Sequence, residues 1–167
     1  MTTPVAHRPV ALKHYEWVRS VSNLMLADFP ADKATFQPAS TDNHAAWVLG
    51  HIICTDAWMA KELGITGISA PESYGPLFGG GSKPVSDPKA YPPFAELRTQ
   101  FDATHTSLMN WYRSAPESAL TTDLSARSKG FTTDPVDAIL KLAWHEGWHF
   151  GQVASIRKAL GLPSKLG

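Results

Sequence analysis

Only one cysteine, Cys54, occurs in the chain. No internal disulfide can form, so the fold does not depend on an oxidising compartment. No apolar run approaches the roughly 18–20 residues that span a bilayer, and the opening MTTPVAHRPV lacks the apolar core of a signal peptide. A soluble, cytoplasmic protein with no membrane partner is expected. Charge of one sign is missing too: 15 basic residues balance 15 acidic ones. A neutral chain has no overall positive field to hold nucleic acid, and no nucleic-acid partner is expected. Strand-like alternation, internal repeats and low-complexity tracts are also absent. What is present is a length of 167 residues, read as one domain over 1–167 that buries about two-thirds of its unfolded surface. Its unusual content is six tryptophans and seven histidines.

Four segments carry helical periodicity. The first, from about Val10 to Asp28, has an inward stripe of His14, Val18, Val21 and Met25, and Pro30 ends it. The second follows STDNHAAW, where Ser40, Thr41 or Asp42 can cap it, and runs to about Leu63 with His44, Trp47, His51, Cys54 or Thr55, and Trp58 on one stripe. The third runs from Pro92–Pro93 to about Arg113 with Phe94, Leu97, Phe101, Leu108, Trp111 and Tyr112 inward. The fourth opens with Asp134 as cap and Pro135 in its first turn and closes at Gly161 and Pro163. Between the second and third lies a Gly/Pro-rich loop over 64–93, a length that is usually functional or disordered. The pattern predicts an all-α four-helix bundle. The long connection lets the middle two helices run parallel, giving an up-down-down-up order.

The chemistry concentrates in HEGWH, residues 145–149. It fits H-E-x-x-H, the helix-borne zinc signature with a glutamate as general base. His145 and His149 lie one turn apart on one face, about 6 Å along the axis, close enough to converge on one divalent ion. They interrupt an otherwise apolar stripe of Leu142, Gln152, Ile156 and Leu160, where buried imidazoles need partners. His51 interrupts the second segment in the same way. The three together are read as a His51–His145–His149 metal site. A metalloprotease is the remote alternative, because FGQVASIRKALGLPSKLG downstream offers no Asp, Glu or His as third ligand. Glu146, about 100° around the helix from His145, is read as a solvated or helix-packing acid.

The stretches NHAAWVLGHI (43–52) and WHEGWHFGQVASIRKALGLP (144–163) resemble the DinB/YfiT-like superfamily. The resemblance matches at His51, at His145 and His149, and at Gly151–Gln152. It implies a four-helix bundle holding a divalent metal, commonly nickel or zinc, on one histidine of the second helix and H-x-x-x-H on the last, with coordination positions left open. It implies thiol-dependent S-transfer or isomerisation with mycothiol, bacillithiol or glutathione, and no role on DNA. An open three-imidazole site suits this chemistry, since bound metal favours the thiolate nucleophile. The leading expectation is a metal-dependent enzyme acting on a small-molecule substrate with a low-molecular-weight thiol.

No general base is evident. Thr55, Gln152, His105, Trp47 and Trp58 are candidate second-sphere or pocket residues, with a core histidine the alternative for His105. His44 is read as a water-exposed first-turn residue, and Cys54 as a small buried residue. Trp144 and Trp148 are read as core or dimer-packing residues, and the family resemblance makes a homodimer a candidate. The competing reading is a non-catalytic bundle in which a structural or vestigial ion staples two helices. A fourth protein ligand would favour it.

Overall fold

The computed structural model describes residues 4–166, so Met1–Thr3, at the start of the stretch read for a leader, lie outside the described residues. Four long helices dominate: α1 (Pro4–Leu26), α2 (Ala45–Glu62), α4 (Phe94–Ser114) and α6 (Pro135–Ala159). Two short ones, α3 (Tyr74–Phe78) and α5 (Glu117–Leu120), sit in the connections. Among the described residues there is no strand, and no helix is long and apolar enough to cross a membrane. The chain is an all-helical bundle.

Local chemistry explains most boundaries. Asp134 caps α6 as expected, its Oδ1 accepting from the amides of Val136 and Asp137 at 2.9 and 3.0 Å. α2 is capped by none of Ser40, Thr41 or Asp42. The cap is His44, whose Nδ1 accepts from the Trp47 amide at 3.0 Å, while Asp42 closes a preceding turn on Ala39. α1 begins at Pro4 rather than near Val10, running through Pro9. A proline removes one helical hydrogen bond, but Arg8 anchors this end by donating to the Ala115 carbonyl at 2.8 Å. The long loop is not structureless: α3 and a 3-10 turn at Pro88–Ala90 break it up.

α1 packs chiefly on α6, and α2 on α4 and α6. Arg8 meets Ala115, Arg19 meets Phe101 and Arg98 meets Leu26, so α1 and α4 pass in opposite senses. Asn43 meets Gln152 and His51 meets His145, which gives α2 and α6 the same opposed relation. One apolar cluster, including Leu49, Ile53, Phe78, Phe101 and Phe150, fills one part of the bundle. A second, with Met59, Leu108, Tyr112, Ile139 and Leu142, fills the other. Each such buried side chain contributes about 1.5–3 kcal/mol before entropy is counted.

Several inward assignments need correction. His14 is exposed, and α1 buries Tyr15, Arg19 and Ser22 instead. The His51 stripe of α2 lies at the edge of its buried arc, because Val48, Leu49, Ile52, Ile53 and Asp56 face the core and leave His51, Cys54, Thr55 and Trp58 half-buried. Trp144 and Trp148 are not core residues. They stand in solvent on α6, which already buries a wide arc through Ile139, Leu142, Phe150 and Val153.

Candidate metal centre

α2 and α6 bring His51, His145 and His149 together, one ring nitrogen of each lying within 4.8 Å of the others. His51 Nε2 and His145 Nε2 are 3.2 Å apart. Two nitrogens each about 2.0–2.1 Å from a tetrahedral ion sit roughly 3.3 Å apart, so this spacing fits a shared cation. Among the described residues the group comprises these three side chains, which leaves coordination positions open.

The outer nitrogens fix the inner ones. His51 Nδ1 lies 2.7 Å from the Phe78 carbonyl, which can only accept, so Nδ1 carries the proton and Nε2 presents its lone pair. His149 Nδ1 lies 3.1 Å from Gln152 Oε1, which also accepts from Asn43 Nδ2 at 3.0 Å. His149 is held in the same tautomer, Nε2 inward. Two facing lone pairs repel unless a cation or a proton lies between them, so the donor set fits a divalent ion.

Electrostatics keeps the rings neutral. Burial lowers the pKa of all three, and His145 falls to about 3 through desolvation first, with the two other imidazoles opposing a further positive charge. Neutral imidazole is the form that binds metal.

The long connection builds one wall of the site. The Trp47 indole lies flat on His51, ring centroids 4.6 Å apart and 10° from parallel, and its Nε1 donates to Ser82 Oγ at 2.8 Å. Phe78, which supplies the carbonyl to His51, ends α3 and packs its ring on α2 at Gly50. A Cβ on Gly50 would fall 2.3 Å from that ring. Gly50 is therefore required by the close approach of α3, despite the roughly 1 kcal/mol that a mid-helix glycine costs. Phe78 and Ser82 carry no sequence signal, since nothing in a Gly/Pro-rich loop shows which carbonyl will reach a ring.

The other candidates fall in different places. Thr55 donates its hydroxyl to the His51 carbonyl at 3.0 Å, within its own helix. Trp58 packs edge-on against Phe131 and lines a groove with Cys54 and Lys61. The Cys54 thiol is half-buried, and burial pushes its pKa up to about 11, which suppresses nucleophilicity. His105 is a buried core histidine edge-on to Tyr15, centroids 4.5 Å apart. His44 is buried rather than exposed, edge-on against Tyr91, and its pKa falls to about 4 through desolvation.

Glu146 is neither solvated nor aimed at the histidines. It is fully buried against α1, where Arg19 Nη2 reaches its carboxylate at 2.8 Å and Ser22 Oγ donates at 2.7 Å. Tyr15 and Asp56 extend this network, the Tyr15 hydroxyl lying 3.1 Å from Asp56 Oδ1. Arg19 and Ser22 sit among the apolar positions of the first segment, a signal of the same kind that exposed the histidines.

With this geometry in place, the family comparison is specific. The family model described as DinB superfamily matches residues 14–153. No curated protein and no solved structure matches the chain.

Proposed function

The chain belongs to the DinB superfamily, and from that premise we propose that it is a metal-dependent enzyme acting with a small thiol, of S-transferase or isomerase type. One observation carries the reading: three neutral imidazoles from two helices turn their ring nitrogens on a common point, with no fourth ligand among the described residues. His51, His145 and His149 would hold the ion, for which the family resemblance implies nickel or zinc, both suited to imidazole ligands. A divalent ion bound there supplies positive charge that lowers the pKa of an incoming thiol and leaves it a nucleophile at neutral pH. The protein's own residues do the rest. The Phe78 carbonyl and Gln152 hold the rings in their metal-binding tautomer. Trp47 covers one flank of His51 and keeps water from it. The thiol sulfur then attacks the electrophile, one carbon–sulfur bond forms as the leaving group departs, and the thiol proton passes to solvent. Glu146, engaged by Arg19 on the face of α6 that packs against α1, takes no part, so this reading leaves no general base for peptide hydrolysis.

The test is metal analysis of protein purified without chelator or nickel resin, followed by assay of the loaded protein with glutathione, bacillithiol and mycothiol against a panel of electrophiles. About one divalent ion per chain is expected, lost in His51→Ala, together with metal-dependent thiol consumption. Metal-free protein whose melting is unmoved by added zinc or nickel would refute the site. One ion per chain with no turnover of any thiol would favour an ion that only staples α2 to α6.

A further inference from the structure

We infer that the groove between α2 and the 64–75 segment binds the second substrate of the metal site, a neutral aromatic electrophile; this rests on the thiol-transfer reading above. The groove continues the site. Cys54 and Trp58 follow His51 by three and seven residues, on the outer face of α2 that the core leaves half-buried. The groove therefore opens about 4.5 Å along the axis from His51 and extends to about 10 Å. α3 walls both places: Gly75 lines the groove, and Phe78, one turn further on, gives its carbonyl to His51. A molecule lying against Cys54 and Trp58 thus has its near end beside the point on which the three ring nitrogens converge.

The lining sets the chemistry of the occupant. Trp58, Ile65, Ile68 and Ala70 are half-buried, pack on the two core clusters and line the groove. The Ile65 amide donates to the Ala60 carbonyl at 2.8 Å, which fixes the far wall to the end of α2. The charged residues in the lining are Lys61 and Glu72, of opposite sign, so the groove has no net field that would select an ion. Phe131 packs edge-on against the Trp58 indole, centroids 5.6 Å apart, and holds it in place as a flat surface. An aromatic ligand gains more on such a ring than an aliphatic one of equal area. The groove holds about 690 Å³, within the roughly 300–1,000 Å³ of small-molecule sites. With para-nitrobenzyl chloride as the electrophile, the thiol sulfur bonds to the benzylic carbon. Chloride leaves with the electron pair of the carbon–chlorine bond, and the thiol proton passes to solvent.

Cys54, the one thiol of the chain, reports occupancy without metal or turnover. In the metal-free full chain, phenylnaphthylamine is expected to slow alkylation of Cys54 by monobromobimane in step with the rise of its bound fluorescence. Ile68→Glu puts a carboxylate in the wall and is expected to weaken probe binding about tenfold, with zinc affinity and helical circular dichroism unchanged. In the zinc-loaded protein the same variant should raise KM for para-nitrobenzyl chloride and leave kcat and the thiol KM as they are. A probe that binds while Cys54 stays reactive, or that binds Ile68→Glu as well as wild type, would overturn the inference. So would protection by glutathione instead of the probe, or protection that grows with protein concentration alone, the mark of another copy in the groove. Cys54 protected by the probe with no turnover of any thiol would keep the aromatic site and count against the thiol-transfer reading alone.

Discussion

The two sides of HEGWH make opposite use of buried polarity. Glu146 faces α1 and meets a permanent cation, the Arg19 guanidinium, in a setting closed to water. His145 and His149 face α2 and meet only another neutral ring. One side carries its own counter-charge, and the other is arranged to receive one. A helix turns 100° per residue, so adjacent letters of a motif can serve unrelated sites. H-E-x-x-H implies a single zinc-and-base unit only where the helix packs so that Glu and His share a cavity, and here α1 takes the glutamate. Removing a partner should therefore hurt the two sides differently: the Glu146 side in folding, the histidine side in metal binding.

The largest effect is expected from Arg19→Ala. It strands Glu146, removes the partner of Asp56 and abolishes the bond to the Phe101 carbonyl. Breaking a buried ion pair costs about 3–5 kcal/mol, a large part of a typical domain's stability. Urea unfolding should show that loss, whereas His149→Ala should change metal-free stability far less and remove the stabilisation by added zinc, about 2.7 kcal/mol at a hundredfold excess over Kd. Equal losses in the metal-free proteins would erase the contrast.

pH should separate the sides next. Burial pushes the Asp56 carboxyl up to about 7, against the opposing pull of Arg19. The native state then keeps a proton that the unfolded chain releases near pH 4. The stability this contributes is complete below about pH 4 and is lost as pH rises toward 7, by up to about 4 kcal/mol at ~1.4 kcal/mol per unit. The histidines act in the other direction: their lowered pKa values mean that stability falls as pH drops below 6.5, where the unfolded chain gains protons first. Asp56→Asn should flatten the rise-of-pH loss and leave the acid side intact, read from urea midpoints at pH 5, 6 and 8. An unchanged alkaline slope would remove Asp56 from the account.

Gly50→Ala should touch both fold and site. The added methyl meets the Phe78 ring, and overpacking of this kind costs about 1–3 kcal/mol. If α3 moves away, the Phe78 carbonyl leaves His51, and loss of such an outer partner lowers metal affinity about 10–100-fold. Titration calorimetry with zinc would detect it. Unchanged affinity would show that α3 does not orient the ring.

How much of this was legible beforehand follows from the range of each interaction. The all-helical bundle could be read because periodicity and the Asp134–Pro135 start are local. The three histidines could be read because polar rings break apolar stripes. Of the two readings of Glu146, solvated or helix-packing, the packing one holds, while its partner Arg19 has no expectation attached to it, since an arginine in an early helix suggests solvent. First-turn position alone makes His44 read as solvent-facing, whereas Tyr91, 47 residues further along, covers it. Phe78 and Ser82 had no sequence signal, because a backbone carbonyl and a loop hydroxyl acquire a role only from where the loop lies. For Trp144 and Trp148, read as core or dimer-packing residues, the core alternative fails, as their angular positions on α6 opposite Glu146 already indicate.

The smallest effect is expected at Gln152, and it isolates the histidine side most cleanly. Gln152 is half-buried at the end of the site, and its Oε1 accepts from both His149 and Asn43. Gln152→Leu keeps the bulk and removes the acceptor, so His149 loses what fixes its tautomer while the core stays as it is. Stability should change by no more than about 0.5 kcal/mol, as for most edge positions. Zinc affinity should fall about tenfold, at the low end for an outer-partner loss, because the other two rings keep their orientation. If affinity fell as far as in His149→Ala, Gln152 would be a ligand rather than a support. If it did not fall at all, the ring would owe its orientation to packing against Trp47 and not to the hydrogen bond.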